Sequence, residues 1–442
     1  VVGFLKEYIG ADSGLFEFSI ILHGGGGDVD IDSADIGVSF SYTVNGLHGV
    51  NNILDGAFCR VFSGFQGDAL MPHFQQCSDL PGDFIHVQFA ALEVLVGAMV
   101  GAVNTVVVKG GRLYGYMTDI FGMERSIPKK AVEGKDAIIL GSGGTSLTAE
   151  RVFIKYGAKH IYKVSRSGPI NYENIYNLCG AKVLINTTPV GMYPDIKRAP
   201  VDIKRLRGVE FVFDAVYNPI RTRLILDCME MKIECSGGLD MLLNQAFKAA
   251  ELYTGEPLKD DIKYNAALTL RKDFENIALI GMPSSGKSSL ARELDKITGR
   301  EIVDTDELVE KKAGLKIPEI FEKLGEEKFR DLEEEAVEEA CSKKGVIIST
   351  GGGAVTREQN IKNLKGCGVV FLIKRDAAPN TSGRPLLTKD GAYERLKKER
   401  ESLYQKARDF EVLNNDTLQG AAKRIWDLFL EHIKKQVKIN LI

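Results

Sequence analysis

Asn276-Ile-Ala-Leu-Ile280-Gly281-Met-Pro-Ser-Ser-Gly286-Lys287-Ser288-Ser289 decides the reading of this chain. The apolar run Ile277–Ile280 predicts a short buried strand, and Ser289–Ile297 has the composition of a helix. Between them stands a complete G-x-x-x-x-G-K-[ST] pattern. Gly281 and Gly286 allow backbone angles that let successive N–H groups, at Ser284, Ser285, Gly286 and Ser289, curl around a phosphate. The positive end of the following helix adds to this, Lys287 neutralises the β/γ-phosphates, and the Ser288 hydroxyl suits Mg²⁺. A plain Gly/Ser turn with a chance lysine is the alternative, and eight matched positions between strand and helix disfavour it.

Outward from this loop, further short apolar strands are expected at Glu301–Val303, Val346–Ser349 and Val369–Ile373, separated by Lys/Glu-rich helices. Upstream, the polar stretch from Gly255 to about Phe274 reads as a flexible linker. From about 105 to 255 the pattern is again α/β, with strands at Asp136–Leu140, Lys159–Val164, Val183–Asn186 and Phe211–Ala215. The 442 residues therefore predict domains at 1–104, 105–255 and 276–442 around a linker at 256–275, with the last helices before the linker returning to the first domain. A chain that opens on Val1 instead of methionine is expected to be a fragment.

Net charge is −3, which gives no reason to expect nucleic acid. Residues 1–100, however, hold two basic and twelve acidic residues, and no lysine occurs between Lys6 and Lys109. Seven scattered cysteines without a C-x-x-C pair make a disulfide framework or zinc site unexpected and fit a cytoplasmic location. No basic region precedes apolar residues at the amino end, so no signal peptide is expected. The window Phe89–Val108 is apolar, but Glu93, Gly97 and Gly101 interrupt it, and Val106–Val108 reads as a buried strand, so a soluble protein is expected.

A GTPase would need N-K-x-D, which is absent. Instead Asp304-Thr305-Asp306 closes the second strand, followed by Phe329-Arg330, Ser349-Thr350-Gly351-Gly352-Gly353, Gly383-Arg384-Pro385-Leu386-Leu387 and Arg400-Glu-Ser-Leu-Tyr404. With these residues, 276 to about 430 resembles shikimate kinase. The resemblance implies a P-loop kinase fold with a parallel sheet and ATP-dependent phosphorylation of the shikimate 3-hydroxyl. It implies that Ser288 and Asp304 hold Mg²⁺, and that Asp306 orients the hydroxyl. Arg330 and Arg400 would grip the carboxylate. Gly351, Gly352 and Gly353 would approach the ring, and Arg384 would descend from a lid onto the phosphoryl group. Taken singly, Asp304 or Asp306 could be a helix cap, Arg330 a surface residue paired with Glu333 or Glu334, and Arg400 part of a solvated face. The lid segment Asp376–Gly383 carries no arginine of its own.

In the upstream half, Gly141-Ser-Gly143-Gly144 follows a strand and precedes a helix running to Tyr156, with Ser146 in place of a third glycine. After the next strand stands Ser165-Arg166-Ser167 instead of an acid, which suits a 2′-phosphate and hence NADP. A structural strand–helix turn without a ligand is the alternative. Further segments are Gly101-Ala-Val-Asn104, Gly115-Tyr-Met117-Thr-Asp119, Asn186-Thr-Thr-Pro189-Val-Gly191, Asp214-Ala-Val-Tyr217-Asn-Pro219 and Gly237-Gly238-Leu-Asp-Met241-Leu-Leu-Asn-Gln245. With them, 100 to 255 resembles shikimate dehydrogenase. That resemblance implies an N-terminal α/β substrate domain, a Rossmann-type NADP domain, and NADPH-dependent reduction of 3-dehydroshikimate to shikimate. Asn104, Asp119, Tyr217 and Gln245 would bind substrate, Asp119 would also serve catalysis, and Met241 would lie against the nicotinamide. Asp119 could instead simply start a helix, and Met117 stands where that family has asparagine.

The same family pairs its aspartate with a lysine about twenty residues before Asn104, as general acid/base. Here Asp83 occupies that position, and residues 7–108 contain no lysine. Ser39 and Ser41 match the family's carboxylate-binding serines only loosely, since Tyr42 replaces the expected proline. Loss of a positioned acid/base costs typically ~10²–10⁴ in rate, so the dehydrogenase half is expected to be impaired. Three readings follow: a two-step enzyme, a kinase carrying a non-catalytic dehydrogenase-like module, and a nucleotide-dependent regulatory protein. The complete loop, carboxylates and arginines after 276 disfavour the last.

Overall fold

Parallel pairing organises most of the chain. The computed structural model describes residues 19–22, 38–41, 103–109, 112–178, 180–376 and 392–441. Asp83 and Arg384 lie outside the described residues. Those that are described group into two units, one running up to Met123 together with Leu243–Leu258, the other comprising Glu124–Leu242 and Lys259–Ile442.

In the first unit, β1 (Ser19–Leu22) pairs antiparallel with β2 (Val38–Ser41), which carries Ser39 and Ser41. A second antiparallel pair joins β3 (Thr105–Lys109) to β4 (Arg112–Tyr116). The valine run is thus a strand, but the parallel pattern expected from about 105 begins only later. Two glycines, Gly110 and Gly111, separate these strands. A separation of two residues suits antiparallel pairing, whereas a parallel crossover needs about a dozen residues or more. Helix α1 (Thr118–Ser126) follows.

The second unit contains two all-parallel sheets. The first comprises β5 (Asp136–Leu140), β6 (His160–Val164), β7 (Val183–Asn186), β8 (Phe211–Asp214) and β9 (Glu234–Gly237), in the order β6-β5-β7-β8-β9. Apart from Asp136, Asn186 and Asp214 at their ends, its central strands are apolar because both faces are covered: Ile138, Ile139, Leu140, Leu184 and Val212 are fully buried. Helices α2 (Gly144–Lys155) and α3 (Arg223–Glu230) belong to this half of the chain, and α4 (Gly238–Thr254) begins in it, its residues from Leu243 on counting with the first unit.

The stretch read as a linker is instead helical over most of its length. Helix α5 (Asp260–Phe274) buries Ala266, Ala267 and Leu270 along one face, opens on Asp260 and Asp261, and closes on Arg271 and Lys272. Apolar residues at helical spacing, with acids first and bases last, explain the difference, and the polar average had hidden them.

The second sheet comprises β10 (Asn276–Ile280), β11 (Ile302–Asp304), β12 (Ile347–Ser349), β13 (Gly368–Lys374) and β14 (Phe410–Leu413), in the order β11-β12-β10-β13-β14. Helices α6 (Lys287–Thr298), α7 (Thr305–Ala313), α8 (Ile317–Lys323), α9 (Gly325–Ser342), α10 (Glu358–Cys367), α11 (Ala392–Ala407) and α12 (Leu418–Leu441) accompany it. Ala278, Ile280, Ile348, Val370 and Leu372 pack with Val337 and Ala340 of α9. Among the described residues no helix is long and apolar enough to cross a membrane.

Asp214 ties the ends of β7 and β8 together. Its carboxylate accepts hydrogen bonds from Asn186 Nδ2 at 2.9 Å, Thr222 Oγ1 at 2.5 Å and the Val216 N–H at 3.1 Å. Burial outweighs these bonds and raises its pKa from 3.8 to about 6. A carboxyl that holds its proton more tightly when folded stabilises fully below the unfolded value and loses that contribution as pH rises to the folded one. Relative to Asp214→Asn, urea unfolding should therefore show stability falling by about 1.4 kcal/mol per pH unit between pH 4 and 6, then levelling.

Candidate functional site

The carboxyl ends of β10, β11 and β12 open onto a cavity of about 480 Å³. Its first wall is the loop after β10. Gly281, Ser284 and Gly286 have φ of 147°, 71° and 94°, the left-handed region that turns successive N–H groups to one side. At Gly281 a Cβ would collide with the Ile373 carbonyl oxygen, and at Gly286 with Asn414 Nδ2, so neither tolerates a side chain. Asn414 Nδ2 also donates to Ser285 O at 2.9 Å, holding the loop from behind. Ser284, Gly286, Lys287, Ser288 and Ser289 line the cavity, whereas Ser285 is buried and its Oγ has no partner. Lys287 Nζ donates to Gly281 O at 2.8 Å and Met282 O at 3.0 Å, so the ammonium lies folded against the loop it would share with a phosphate.

Asp304 caps α7, its Oδ1 accepting from Asp306 N–H at 3.0 Å, while Oδ2 accepts from Ser288 Oγ at 3.1 Å. The cap reading and the site reading hold together. Ser288 Oγ also lies 3.2 Å from Ser349 Oγ. An all-oxygen set at the mouth of a phosphate loop fits Mg²⁺, which takes one or two protein oxygens and completes its shell from phosphate and water.

The opposite wall is cationic. Arg330 is 6% exposed, and its Nη1 donates to Glu333 Oε2 at 2.7 Å while Nη2 reaches Glu326 Oε1 at 3.0 Å. The partner foreseen for Arg330 is present, but in a cavity wall and not on a solvated face. Arg400 is 5% exposed and donates to Gly352 O at 3.0 Å, which Tyr404 Oη also reaches at 2.6 Å. The solvated reading of Arg400 is thereby corrected, because its helix turns this side inward. Asp306 stands between the walls, half-buried.

Gly351, Gly352 and Gly353 leave room that nothing larger would. A Cβ at Gly351 would lie 2.5 Å from Asp306 Oδ1 and 2.8 Å from Glu333 Oε1; at Gly352, 2.7 Å from Pro283 Cδ; at Gly353 it would strike the Arg330 guanidinium. Glu333, Tyr404, Arg375 and Asn414 were not singled out in the sequence as site residues. The i,i+3 spacing of Arg330 and Glu333 on one helix was the available signal for the first of them. Glu333 is buried with Oε1 unbonded, and burial raises its carboxyl although Arg330, Arg400 and Arg357 pull it down.

Elsewhere in the second unit, Gly141 has φ 114°, its N–H donates to Val164 O at 2.8 Å, and a Cβ there would lie 2.6 Å from Thr187 Oγ1. Nothing lies within 4 Å of a Cβ built at Gly143 or Gly144, which leaves the start of α2 open to a ligand. Ser146 is buried and bonds back to Gly143 O at 2.6 Å. Ser165 and exposed Arg166 follow β6, the strand beside β5. Met241 is buried, and Tyr217 is 40% exposed. In the first unit, Asn104 Nδ2 donates to Asp119 Oδ1 at 2.9 Å and Asn104 Oδ1 accepts from Thr118 N–H at 2.8 Å; Gln245 is half-buried on α4. Asp119 thus both starts a helix and meets Asn104. No side-chain placement is described for Ser39 and Ser41.

A family model for shikimate kinase matches residues 283–434. The shikimate kinase of Thermodesulfovibrio yellowstonii is 42% identical over 143 residues, covering 30% of this chain and 83% of that relative. The shikimate dehydrogenase (NADP(+)) of Clostridium perfringens strain ATCC 13124 is 32% identical over 220 residues, covering 46% of this chain and 77% of the relative. The chain belongs to the shikimate kinase family in its carboxy-terminal part and to the shikimate dehydrogenase family upstream of it. Against the shikimate dehydrogenase (NADP(+)) of Clostridium beijerinckii, 34% identical over 168 residues, the chain spans only 62% of the relative's length.

Removing one partner of a buried ion pair strands the other. Glu333→Gln should destabilise the shikimate kinase part by about 3 kcal/mol, the lower end of such losses because Glu326 remains beside Arg330. Urea denaturation of both proteins measures this.

Proposed function

We propose that the carboxy-terminal module transfers the γ-phosphoryl group of ATP to the 3-hydroxyl of shikimate, with Mg²⁺. One observation carries this: a single cavity lined by Lys287 and Ser288 at one side, Arg330 and Arg400 at the other, and Asp306 between them. In this reading the loop from Gly281 to Ser289 holds the phosphates, and Ser288 and Asp304 hold Mg²⁺, which supplies charge neutralisation at the phosphates. Arg330 and Arg400 bind the carboxylate as planar donors, with Gly351–Gly353 against the ring. Asp306 accepts the proton of the attacking hydroxyl, and Arg384 closes from the lid. ATP consumption should then require shikimate. Lys287→Ala should abolish it, and Asp306→Asn should lower kcat by about 10²–10⁴. Consumption that ignores shikimate would remove this reading.

For the upstream half we propose a two-step design in which 3-dehydroshikimate reduction by NADPH precedes phosphorylation, in a cytoplasmic protein whose reductive step is impaired. Gly141, Gly143, Gly144, Ser165 and Arg166 are assigned to NADP(H), with Met241 against its nicotinamide. Asn104, Asp119, Tyr217 and Gln245 are assigned to the substrate, with Ser39 and Ser41 as candidates for its carboxylate. The absence of lysine from residues 7–108 favours a second reading, in which this half binds ligand or supports the chain without catalysis. NADPH oxidation with 3-dehydroshikimate is expected about 10²–10⁴ below an ordinary enzyme rate. Arg166→Ala should weaken NADPH binding in a fluorescence titration; unchanged affinity would remove Arg166 from the cofactor site, and no binding by the unaltered chain would leave only a bare fold.

A further inference from the structure

Arg221 follows the Tyr217-Asn-Pro219 loop and immediately precedes Thr222, the N-cap of α3. Its contacts reach into the kinase part of the same unit. Its backbone N–H donates to Gly366 O at 3.1 Å, Nε to Lys365 O at 2.8 Å, and Nη2 to Gly368 O at 2.7 Å and Glu275 Oε2 at 3.3 Å. Lys365 and Gly366 lie in the last turn of α10, where carbonyls find no partner within the helix and the helix end is electronegative. One guanidinium and its own backbone therefore complete a helix terminus that belongs to the other module.

The surrounding contacts run the same way. Lys362 Nζ donates to Asp227 Oδ1 at 2.9 Å with both side chains largely buried, Arg223 reaches Gln359 at 3.4 Å, and Lys344 bonds Asn218. Gly366 fits without a side chain, since a Cβ there would lie 2.9 Å from Arg221 O.

We propose that Arg221 is a positioning residue that pins the Tyr217–Pro219 loop to the last turn of α10, so that the dinucleotide and kinase modules move as one body. Its bearing on substrate at Tyr217 rests on the dehydrogenase reading; the pin itself does not. Hydrogen exchange with mass spectrometry on the full chain tests it. In Arg221→Ala, exchange should rise about tenfold in both 217–226 and 364–368, with shikimate-dependent ATP turnover retained. Arg221→Lys should restore protection in part, because one ammonium cannot span the carbonyls that the planar fork reaches. Gly366→Ala attacks the contact from the opposite side and should loosen the same two segments, which keeps the test open if Arg221→Ala does not fold. Loosening of one segment alone, or of neither, overturns the pin. Joint loosening in a chain that fails to bind NADPH supports the pin and removes only the cofactor reading.

Discussion

The buried ion pair of Arg330 with Glu333 is the contact on which the kinase cavity depends. Taking two charges out of water costs several kcal/mol per ion, recovered only where geometry is good and the remaining lone pairs are bonded. The 2.7 Å bond satisfies the first condition, but Glu333 Oε1 is buried without a partner, so the second is met only in part. Arg400, the other inward guanidinium, is given a carbonyl and not a carboxylate among the described residues. Arg330 already meets Glu333 and Glu326, so Arg400 is the guanidinium of this wall left without a carboxylate among the described residues, and it is the one placed to take an external carboxylate. The three glycines follow from the same pair. Side chains there would fall on Asp306 and Glu333, on Pro283, and on Arg330 itself, so glycine is what lets the guanidinium, the acid and the phosphate loop share one rim.

Both sheets of the second unit place their candidate groups at the carboxyl ends of parallel strands. Gly141 follows β5 and Ser165 follows β6; Gly281 follows β10, Asp304 ends β11 and Gly351 lies just beyond β12. Parallel strands bury their faces under helices, so free backbone groups and polar side chains gather where strands stop. Asp214 shows what that costs: a carboxylate at a strand end, bonded to Asn186, Thr222 and Val216, stays fully buried and is harder to ionise for it.

Legibility in the sequence followed local signal strength. The central strands of both sheets were readable within a residue or two because their apolar runs are unbroken, and the phosphate loop because its chemistry is written at fixed spacing. Among the edge strands β6 and β11 were readable, but β9 and β14, Glu-Cys-Ser-Gly and Phe-Glu-Val-Leu, were not, since neither carries a continuous apolar run. Helix α5 was missed because averaging its polarity erased a periodic buried face. Glu333 was named only as a partner for Arg330, since its role depends on burial, which no residue type announces. The antiparallel pairing of β3 with β4 was legible in principle: two intervening glycines cannot carry a crossover.

The lysine-free segment and the contacts of Arg221 bear on the same question, what the upstream module does if its acid/base is absent. A missing acid/base lowers a rate but leaves a surface intact. Helix α10 ends on carbonyls that need donors, and Lys365, Gly366 and Gly368 find them on a residue of the dinucleotide module. Withdrawing those donors would leave polar groups unpaired, a loss comparable to that of any buried hydrogen bond. Glu275, 1% exposed, would likewise lose a guanidinium, with Arg271 at 3.7 Å remaining. The module therefore has a physical role in the kinase half that does not pass through hydride transfer, and loss of the lysine would leave that role untouched.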